Sequence, residues 1–225
     1  LDAPLHWRKP RRVFVDSMSD LFYEAFTNEQ IAAVFGVMAA CPQHTFQVLT
    51  KRADRMRAYM THEGGFGRWG FIDGHARRIL RAFNGREIPP GKILLGPLPN
   101  VHLGVSAEDQ RRADERLPDL KATPAARRFV SFEPLIEPVV ADLSGIDLAI
   151  IGGESGRRAR DCDITWVRSL VEQSRAAGCA PFVKQLGARA RIGEPGNITT
   201  YLRLRDSKGG DMAEWPEDLR VREAA

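Results

Sequence analysis

Six short runs of apolar and β-branched residues, with helical patterns between most of them, constrain the fold of this chain more than any other feature. The predicted strands are Val13–Val15, Thr45–Leu49, Val101–Val105, Arg128–Phe132, Leu148–Ile151 and Pro181–Val183. Each run is nearly continuous in apolar residues, which is typical of strands buried on both faces of a parallel sheet. The predicted helices are Asn28–Ala40, Asp54–Met60, His75–Phe83, Gln110–Lys121 and Ile164–Ala177. This alternation favours right-handed βαβ units, and hence a doubly wound sheet or a (βα) barrel.

The length of the chain predicts a single domain over residues 1–225. Single α/β domains and barrels commonly have this length, and 43% hydrophobic residues can supply a sizeable core. The link between the second and third strands is too long for a simple crossover, so we expect a helical, glycine-rich insertion at residues 53–100. Residues 187–225 are polar and irregular, which indicates a C-terminal extension packed onto the core.

Composition and residue spacing exclude several classes of protein. No apolar run approaches the ~20 residues that cross a bilayer, and Leu1–Arg12 lacks the apolar stretch of a signal peptide. Cys41, Cys162 and Cys179 are scattered and odd in number, which indicates a reducing compartment rather than a disulfide framework. The five histidines show no paired metal-ligand spacing, so no metal site is predicted. We therefore expect a cytoplasmic protein without a membrane partner, in an oligomeric state that the sequence leaves open.

The charge of the chain is mildly basic, with a formal net charge of +4 that arginine largely determines. The densest basic stretches are Arg77-Arg78-Ile79-Leu80-Arg81 with Arg86, Arg111-Arg112 with Arg116, and Arg127-Arg128. Acidic residues such as Asp114 and Glu115 alternate with some of them. Both a solvated helix face and a phosphate-binding surface fit this pattern, so nucleic acid remains open as a partner.

Polar residues follow every one of the six predicted strands. They are Asp16, Ser17, Ser19 and Asp20; Thr50, Lys51 and Arg52; Ser106, Glu108 and Asp109; Ser131 and Glu133; Gly152, Gly153, Glu154 and Ser155; and Lys184 and Gln185. The carboxyl ends of parallel strands meet on one face of an α/β fold, where ligands bind. Ser17, Ser106 and Asp109 fit equally well as helix caps. Long charged side chains make poor caps, so we expect a small-molecule site at these strand ends.

The residue types at the strand ends suit several kinds of ligand. Lys51, Arg52 and Lys184 can neutralise a carboxylate or phosphate, while the carboxylates can bind amines, hydroxyls or a cation. Carboxylates crowded by lysines can also have the shifted pKa values that general acid–base catalysis requires. The Gly152-Gly153 pair would let the backbone approach a ligand closely. A G-x-G-x-x-G match at residues 65–70 follows a helical pattern rather than a strand, so it does not indicate a dinucleotide site.

The strand-end motifs, taken in order, resemble an uncharacterised family of phage and prophage proteins. The motifs that carry the resemblance are Val13–Phe22, His44–Arg52, Leu103–Ser106, Ser131–Leu135, Ile151–Gly156, Val183–Gln185, Lys208–Gly210 and Trp215–Leu219. That family is regarded as similar to radical S-adenosylmethionine enzymes. The resemblance therefore implies an incomplete (βα) TIM-type barrel, with Gly152, Gly153, Glu154 and Ser155 binding the cofactor. It implies catalytic roles for Lys51, Glu133 and Lys184. The substrate-binding residues would be Asp16, Ser17, Ser19, Asp20, Thr50, Arg52, Ser106, Glu108, Ser131 and Gln185.

The chain departs from the family pattern at its beginning. Family members usually start with a segment of three closely spaced cysteines, whose thiolates would ligate a [4Fe–4S] cluster. This sequence starts downstream of that segment, and its three cysteines cannot replace it by spacing. We therefore expect no cluster in the chain as it stands, and S-adenosylmethionine with [4Fe–4S] in a full-length form. Two alternatives remain: a module that binds nucleic acid or protein through its arginines, and a cluster-free enzyme acting on a phosphorylated metabolite.

Overall fold

The computed structural model describes residues 2–16, 18–62, 67–85, 96–193 and 200–223. The chain divides into two compact units. The first comprises Leu1–Gly104 and Asp119–Arg127, and the second comprises Val105–Pro118 and Arg128–Ala225. The single domain expected over residues 1–225 stays a prediction. No helix within the described ranges is long and apolar enough to cross a membrane.

All six predicted strands and all five predicted helices are present. The helices are α1 (Ala3–His6), α2 (Asn28–Ala40), α3 (Ala53–Met60), α4 (Gly67–Asn84), α5 (Gln110–Ala122) and α6 (Ile164–Ala176). The strands are β1 (Arg12–Val15), β2 (Thr45–Thr50), β3 (Val101–Ser106), β4 (Arg127–Phe132), β5 (Leu148–Gly152), β6 (Cys162–Asp163), β7 (Ala180–Gln185), β8 (Ala190–Ile192) and β9 (Thr200–Tyr201). Two 3-10 turns, Met212–Glu214 and Glu217–Leu219, follow. The helix expected at His75–Phe83 is the second half of the longer α4.

The predicted strands form one six-stranded sheet in the order β1-β2-β3-β4-β5-β7. The pairs β1–β2, β4–β5 and β5–β7 are parallel, with Val13 opposite Phe46 and Val130 opposite Ala149. Within this sheet, each strand thus lies beside the strand that follows it along the chain, while β6, β8 and β9 form a different sheet. A doubly wound sheet would reverse its order at a switch point. The α/β class is confirmed, and the parallel, sequential order is compatible with an incomplete (βα) barrel.

In the first unit, a capped helix packs closely against α4 and leads into β2. Helix α2 begins with a capping box, in which Thr27 Oγ1 accepts from the Gln30 amide and Gln30 Oε1 accepts from the Thr27 amide. Gly36 lets α4 approach α2, since an added Cβ would lie 2.6 Å from His75 Cβ. The Asn100 side-chain amide donates to three carbonyls around the end of α2, at 3.0–3.2 Å. These contacts fix the loop that leads into β2.

In the second unit, α6 and the C-terminal segment hold the β4-β5-β7 strands. Asp163 caps α6 by accepting from the Thr165 amide, and α6 packs on β5 and β7. The Val183 amide of β7 donates to Val221 at 2.8 Å, and the indole of the buried Trp215 donates to Gly209 at 2.9 Å. The segment after β7 thus contacts β7 directly, and it also contributes β8 and β9 to a second sheet with β6. A C-terminal extension over residues 187–225 stays a prediction.

Candidate functional site

In the first unit, the ends of β1 and β2 are joined through one carboxylate. Asp20 accepts from Thr50 Oγ1 at 2.7 Å, the Lys51 amide at 3.0 Å and Arg52 Nη1 at 3.0 Å. The Phe22 amide also donates to it, at 2.9 Å. These donors occupy both carboxylate oxygens and tie the loop after β1 to the end of β2. We call Asp20, Thr50, the Lys51 amide and Arg52 the Asp20 cluster.

A second carboxylate completes the charge balance of the Asp20 cluster. Arg52 Nε donates to Glu24 at 2.9 Å, and the guanidinium lies 4.7 Å from the centre of the Tyr23 ring. Burial acts to raise the pKa of Asp20, but its hydrogen bonds outweigh burial and lower that pKa. The hydrogen bond from Arg52 lowers the pKa of Glu24. Two carboxylates of the protein therefore neutralise the charge of Arg52, and an anionic ligand would have to displace them to bind this arginine.

The other predicted residues of the first unit lie in the loop after β1 and at the end of β2. Asp16 has a left-handed backbone, with φ of 58°, and its carbonyl accepts from the Ser19 amide at 3.1 Å. Aspartate tolerates that conformation better than most residues. Ser19 and Lys51 are exposed. Ser17 lies outside the described residues.

In the second unit, a carboxylate that directly follows β4 meets a lysine of β7 near the end of β5. Lys184 Nζ donates to Glu133 Oε2 at 2.8 Å, and the side chains are 54% and 17% exposed, respectively. Strand β5 lies between β4 and β7 in the sheet. An added Cβ on Gly152 would lie 3.5 Å from the Glu133 carboxyl carbon. Gly152 thus lies in ordinary van der Waals range of the Glu133 carboxyl group, and an added Cβ would come closer to the Gln185 carbonyl oxygen, at 3.2 Å. We call Glu133 and Lys184 the Glu133–Lys184 pair.

The glycines beside this pair pack against the protein's own backbone. An added Cβ on Gly153 would lie 2.2 Å from the Leu186 carbonyl oxygen, and one on Gly187 would lie 2.8 Å from the Glu154 carbonyl oxygen. The Gly153 amide donates to the Gln185 carbonyl at 3.0 Å, and Gln185 Nε2 donates to the Gly153 carbonyl at 2.9 Å. The close approach expected of this glycine pair is thus made by the chain after β7. Binding of a cofactor by Gly152 and Gly153 stays a prediction.

Glu154 is held by an arginine from its own loop. Arg160 donates to Glu154 through its amide at 2.9 Å and through Nε and Nη2 at 2.7 and 3.1 Å. These bonds lower the pKa of Glu154, with the side-chain bond contributing most. Ser155, the next predicted residue, is exposed. Glu154 therefore fixes the base of the loop after β5, in addition to any role towards a ligand.

The ends of β3 and β4 carry polar residues that are largely buried. Arg116 Nη1 donates to Glu108 Oε2 at 3.0 Å and to the Ser106 carbonyl at 2.8 Å, with both charged side chains mostly buried. The Ser131 carbonyl accepts from the Ala107 amide at 2.8 Å. These contacts join β3 to β4 and to α5. Substrate binding by Ser106, Glu108 and Ser131 stays a prediction.

The cysteines of the described chain do not form a metal centre. Cys41, Cys162 and Cys179 are all buried and unpaired with one another. Burial raises the pKa of Cys162 and of Cys179 to about 12, and it raises that of Cys41 as well. A thiol must lose its proton to ligate a metal. In the described ranges, no group of three or more histidine, cysteine, aspartate or glutamate side chains is placed to hold a metal ion.

The sequence of the chain matches one protein-family model. A family model described as "Protein of unknown function (DUF5131)" matches residues 1–213. The chain belongs to the DUF5131 family. The match covers nearly the whole sequence, so it includes the first unit and most of the second unit of this DUF5131 chain. No curated protein and no solved structure matches the chain.

In each unit, some of the predicted residues of this DUF5131 chain lie together in one group. In the second unit the structure brings Glu133, Lys184, Gly152 and Gln185 together, and in the first it joins Asp20, Thr50 and Arg52. Sequence reasoning missed two partners, Glu24 of Arg52 and Arg160 of Glu154. Both lie in loops without periodicity, so no sequence signal pairs them.

Many arginines of the DUF5131 chain are neutralised by nearby acids. In the predicted basic stretches, Arg77 pairs with Asp73 and Arg111 with Glu115, and Arg116 pairs with Glu108. The i,i+4 spacing of the first two pairs is typical of solvated helix faces. Nucleic-acid binding through these stretches stays a prediction, and these contacts give it no support.

Proposed function

We propose that the ends of β4, β5 and β7 bind S-adenosylmethionine, in a radical-SAM-like protein of phage type. The observation that carries this proposal is the Glu133–Lys184 pair over Gly152, at a hydrogen-bond distance of 2.8 Å. S-Adenosylmethionine is the ligand proposed because the strand-end motifs, in their order, resemble a family that is regarded as similar to radical S-adenosylmethionine enzymes. The carboxyl ends of parallel strands are the usual place for a ligand in such a fold.

The charges of the pair complement the amino acid part of S-adenosylmethionine. That part carries an ammonium and a carboxylate, so the ammonium would donate to Glu133 and the carboxylate would accept from Lys184. A partly exposed ion pair contributes little to stability, typically ~0–1 kcal/mol. Exchanging it for two charge-assisted bonds to a ligand therefore carries a small penalty. Lys184 is 54% exposed, which leaves it free to move as the ligand enters.

The neighbouring residues would define the rest of the site. Gly153 has its amide and carbonyl engaged by Gln185, so we assign it to packing of the site wall rather than to ligand contact. Ser155 is exposed directly after Glu154 and would contact the nucleoside end of the ligand. Glu154, fixed by Arg160, would hold the loop that carries Ser155 in place.

Radical chemistry would require a [4Fe–4S] cluster held by cysteine thiolates. The described residues do not fit that group, because their three cysteines are buried and none of them belongs to a metal-holding set. The proposal therefore concerns ligand binding by this chain's own residues and contains no radical step.

The proposal is tested by isothermal titration calorimetry with three related ligands. S-Adenosylmethionine and S-adenosylhomocysteine contain the amino acid part, whereas methylthioadenosine lacks it. We expect the first two to bind at least roughly tenfold more tightly than the third, since each carries two charge-assisted bonds that methylthioadenosine cannot make. Lys184→Met and Glu133→Gln should each remove this preference.

Lys208→Met is the matched control, since Lys208 is an exposed lysine of the same unit. It should keep the native preference among the three ligands. Equal affinity for all three ligands, unchanged binding by Lys184→Met, or no heat of binding at about millimolar S-adenosylhomocysteine would each contradict the proposal.

A further inference from the structure

The loop after β5 contains a β-turn whose two central residues are arginines. The Ala159 amide donates to the Gly156 carbonyl at 3.2 Å, which closes a turn around Arg157 and Arg158. Gly156 has φ of 102°, a conformation that side chains rarely adopt. Ala159 is buried, so the closing residue of the turn is packed into the protein while its centre is exposed. We call residues 156–159 the arginine turn.

The arginine turn is anchored on both sides. Glu154, just before it, accepts three hydrogen bonds from Arg160, just after it. The Glu154 carbonyl also accepts from the Ala188 amide at 2.8 Å, which fixes the same loop to the segment after β7. The ion pair closes the loop below the turn, so a ligand meets a preformed site and less conformational entropy is lost on binding.

The two arginines of the turn differ in charge balance from other arginines of the second unit. Arg168 pairs with Asp218 at 2.5 Å, and Arg175 pairs with Glu223 at 3.0 Å. Across the part of the chain that the structure describes, neither Arg157 nor Arg158 has a hydrogen-bond or ion-pair partner, and both are exposed. Two neighbouring positive charges repel each other. An anion placed between them would relieve that repulsion.

We propose that the arginine turn binds the phosphate backbone of a nucleic acid. Arginine presents a planar fork of donors that fits phosphate oxygens. An exposed charge pair is weak on its own, so a single phosphate would bind poorly at this open turn. A polynucleotide adds further phosphates and releases counterions with each contact, and the net charge of +4 favours such a polyanion. The arginine turn uses residues other than the Glu133–Lys184 pair, although it directly follows Ser155 in the loop after β5.

The test uses fluorescence anisotropy to measure how tightly the full chain binds a fluorescein-labelled single-stranded oligonucleotide over a range of salt concentrations. The oligonucleotide has about 20 nucleotides, which exceeds the ~4–16 nucleotides of typical single-strand sites. The variant Arg157→Gln/Arg158→Gln should bind roughly tenfold more weakly at ~0.1 M salt, because two phosphate contacts are lost. The slope of log affinity against log salt should fall by about 1.4, which is ~0.7 for each single-strand phosphate contact. Melting temperatures establish that the variant remains folded.

The matched control is Arg168→Gln/Arg175→Gln, which changes the net charge by the same amount at arginines that already have acidic partners. It should bind the oligonucleotide within about twofold of the native chain, since it loses no phosphate contact. Equal weakening in both double variants would overturn the proposal, as would the absence of binding by the native chain. Polyglutamate bound as tightly as the oligonucleotide, with the same dependence on Arg157 and Arg158, would also overturn it by indicating an acidic protein partner. Lys184→Met should retain oligonucleotide binding, which separates this result from failure of the ligand site.

Discussion

The Asp20 cluster and the Glu133–Lys184 pair occupy equivalent positions, at the carboxyl ends of parallel strands, yet they are built differently. Asp20 accepts four hydrogen bonds, two of them from backbone amides. Among the described residues, the Glu133 carboxylate has one hydrogen-bonded partner, Lys184, which is 54% exposed. The Asp20 carboxylate therefore holds the loop after β1 against the end of β2, whereas the Glu133 carboxylate can exchange Lys184 for a ligand.

The difference shows that a polar residue after a buried strand is not by itself a sign of a ligand site. What separates the two cases is the source of the donors. Backbone amides such as those of Phe22 and Lys51 are fixed by the fold, so a carboxylate that accepts from them cannot leave without exposing unsatisfied groups. A lysine side chain can rotate away into water. A strand-end carboxylate therefore remains available to a ligand when its partner is a mobile side chain.

The largest effect is expected from Gly153→Ala, which tests whether the glycines after β5 serve packing. The added methyl group would lie 2.2 Å from the Leu186 carbonyl oxygen and 2.9 Å from Cys162 Cβ. Backbone cannot move aside as a flexible side chain can, so the free energy of unfolding should fall by about 3 kcal/mol. Urea unfolding followed by circular dichroism measures this change.

Gly74→Ala is the control for that substitution. Gly74 lies inside α4, and nothing lies within 4 Å of the position of an added Cβ. Alanine there should raise the free energy of unfolding by about 0.5–1 kcal/mol, because it restricts the unfolded chain and favours the helix. If Gly153→Ala were as harmless as Gly74→Ala, the packing role assigned to Gly153 would be wrong.

A smaller but substantial loss is expected from Asp20→Ala. The substitution leaves two backbone amides and the Thr50 hydroxyl without their acceptor, so the free energy of unfolding should fall by about 2 kcal/mol. The control is Glu24→Ala, because Glu24 is more exposed than Asp20 and its bond to Arg52 is made to Nε alone. Chemical denaturation of both variants compares their losses in free energy of unfolding. Equal losses in the two variants would mean that the backbone donors are unimportant.

The pH dependence of stability provides an independent check on Asp20. Burial acts to raise the pKa of Asp20. The hydrogen bonds from Lys51, Thr50 and Phe22 together lower it by more than burial raises it, so the pKa in the folded state lies below the ordinary 3.8. A lowered pKa stabilises the folded state above the unfolded pKa, and this contribution is lost as pH falls through the folded pKa. Asp20→Asn should therefore show a smaller loss of stability than the native chain between neutral pH and the acid range. Parallel acid profiles for the two proteins would contradict the assignment.

Much of the fold could be predicted because strands and helices depend on local patterns. The apolar run Leu148–Ile151 and the capped pattern from Thr27 each carry enough information within a few residues. Strands β8 and β9 could not be found in this way. They are two or three residues long and partly exposed. Strand β8 pairs with β6, which lies far from it in sequence, and β9 pairs with β8.

The candidate site was predictable in its residues but not in its contacts. Lys184 and Glu133 could be named from their positions at the ends of predicted strands, yet their pairing depends on β7 lying two strands from β4 in the sheet. The partner of Glu154 could not be inferred, since Arg160 reaches it only after the loop folds back. Distances and donor counts, which distinguish structural carboxylates from exchangeable ones, are properties of the folded chain.

The smallest effect on stability is expected from Lys184→Met. A small effect is required if the Glu133–Lys184 pair, unlike the Asp20 cluster, can exchange its partners for a ligand. The substitution removes the charge of a side chain that is 54% exposed while keeping its apolar stem. Partly exposed ion pairs contribute ~0–1 kcal/mol, so the free energy of unfolding should fall by about 1 kcal/mol or less. The variants Lys184→Met, Glu133→Gln and their combination, measured by urea unfolding, give the coupling energy of the pair directly. If Lys184→Met were as destabilising as Asp20→Ala, Glu133 would be a structural carboxylate too, and the pair could not exchange partners with a ligand.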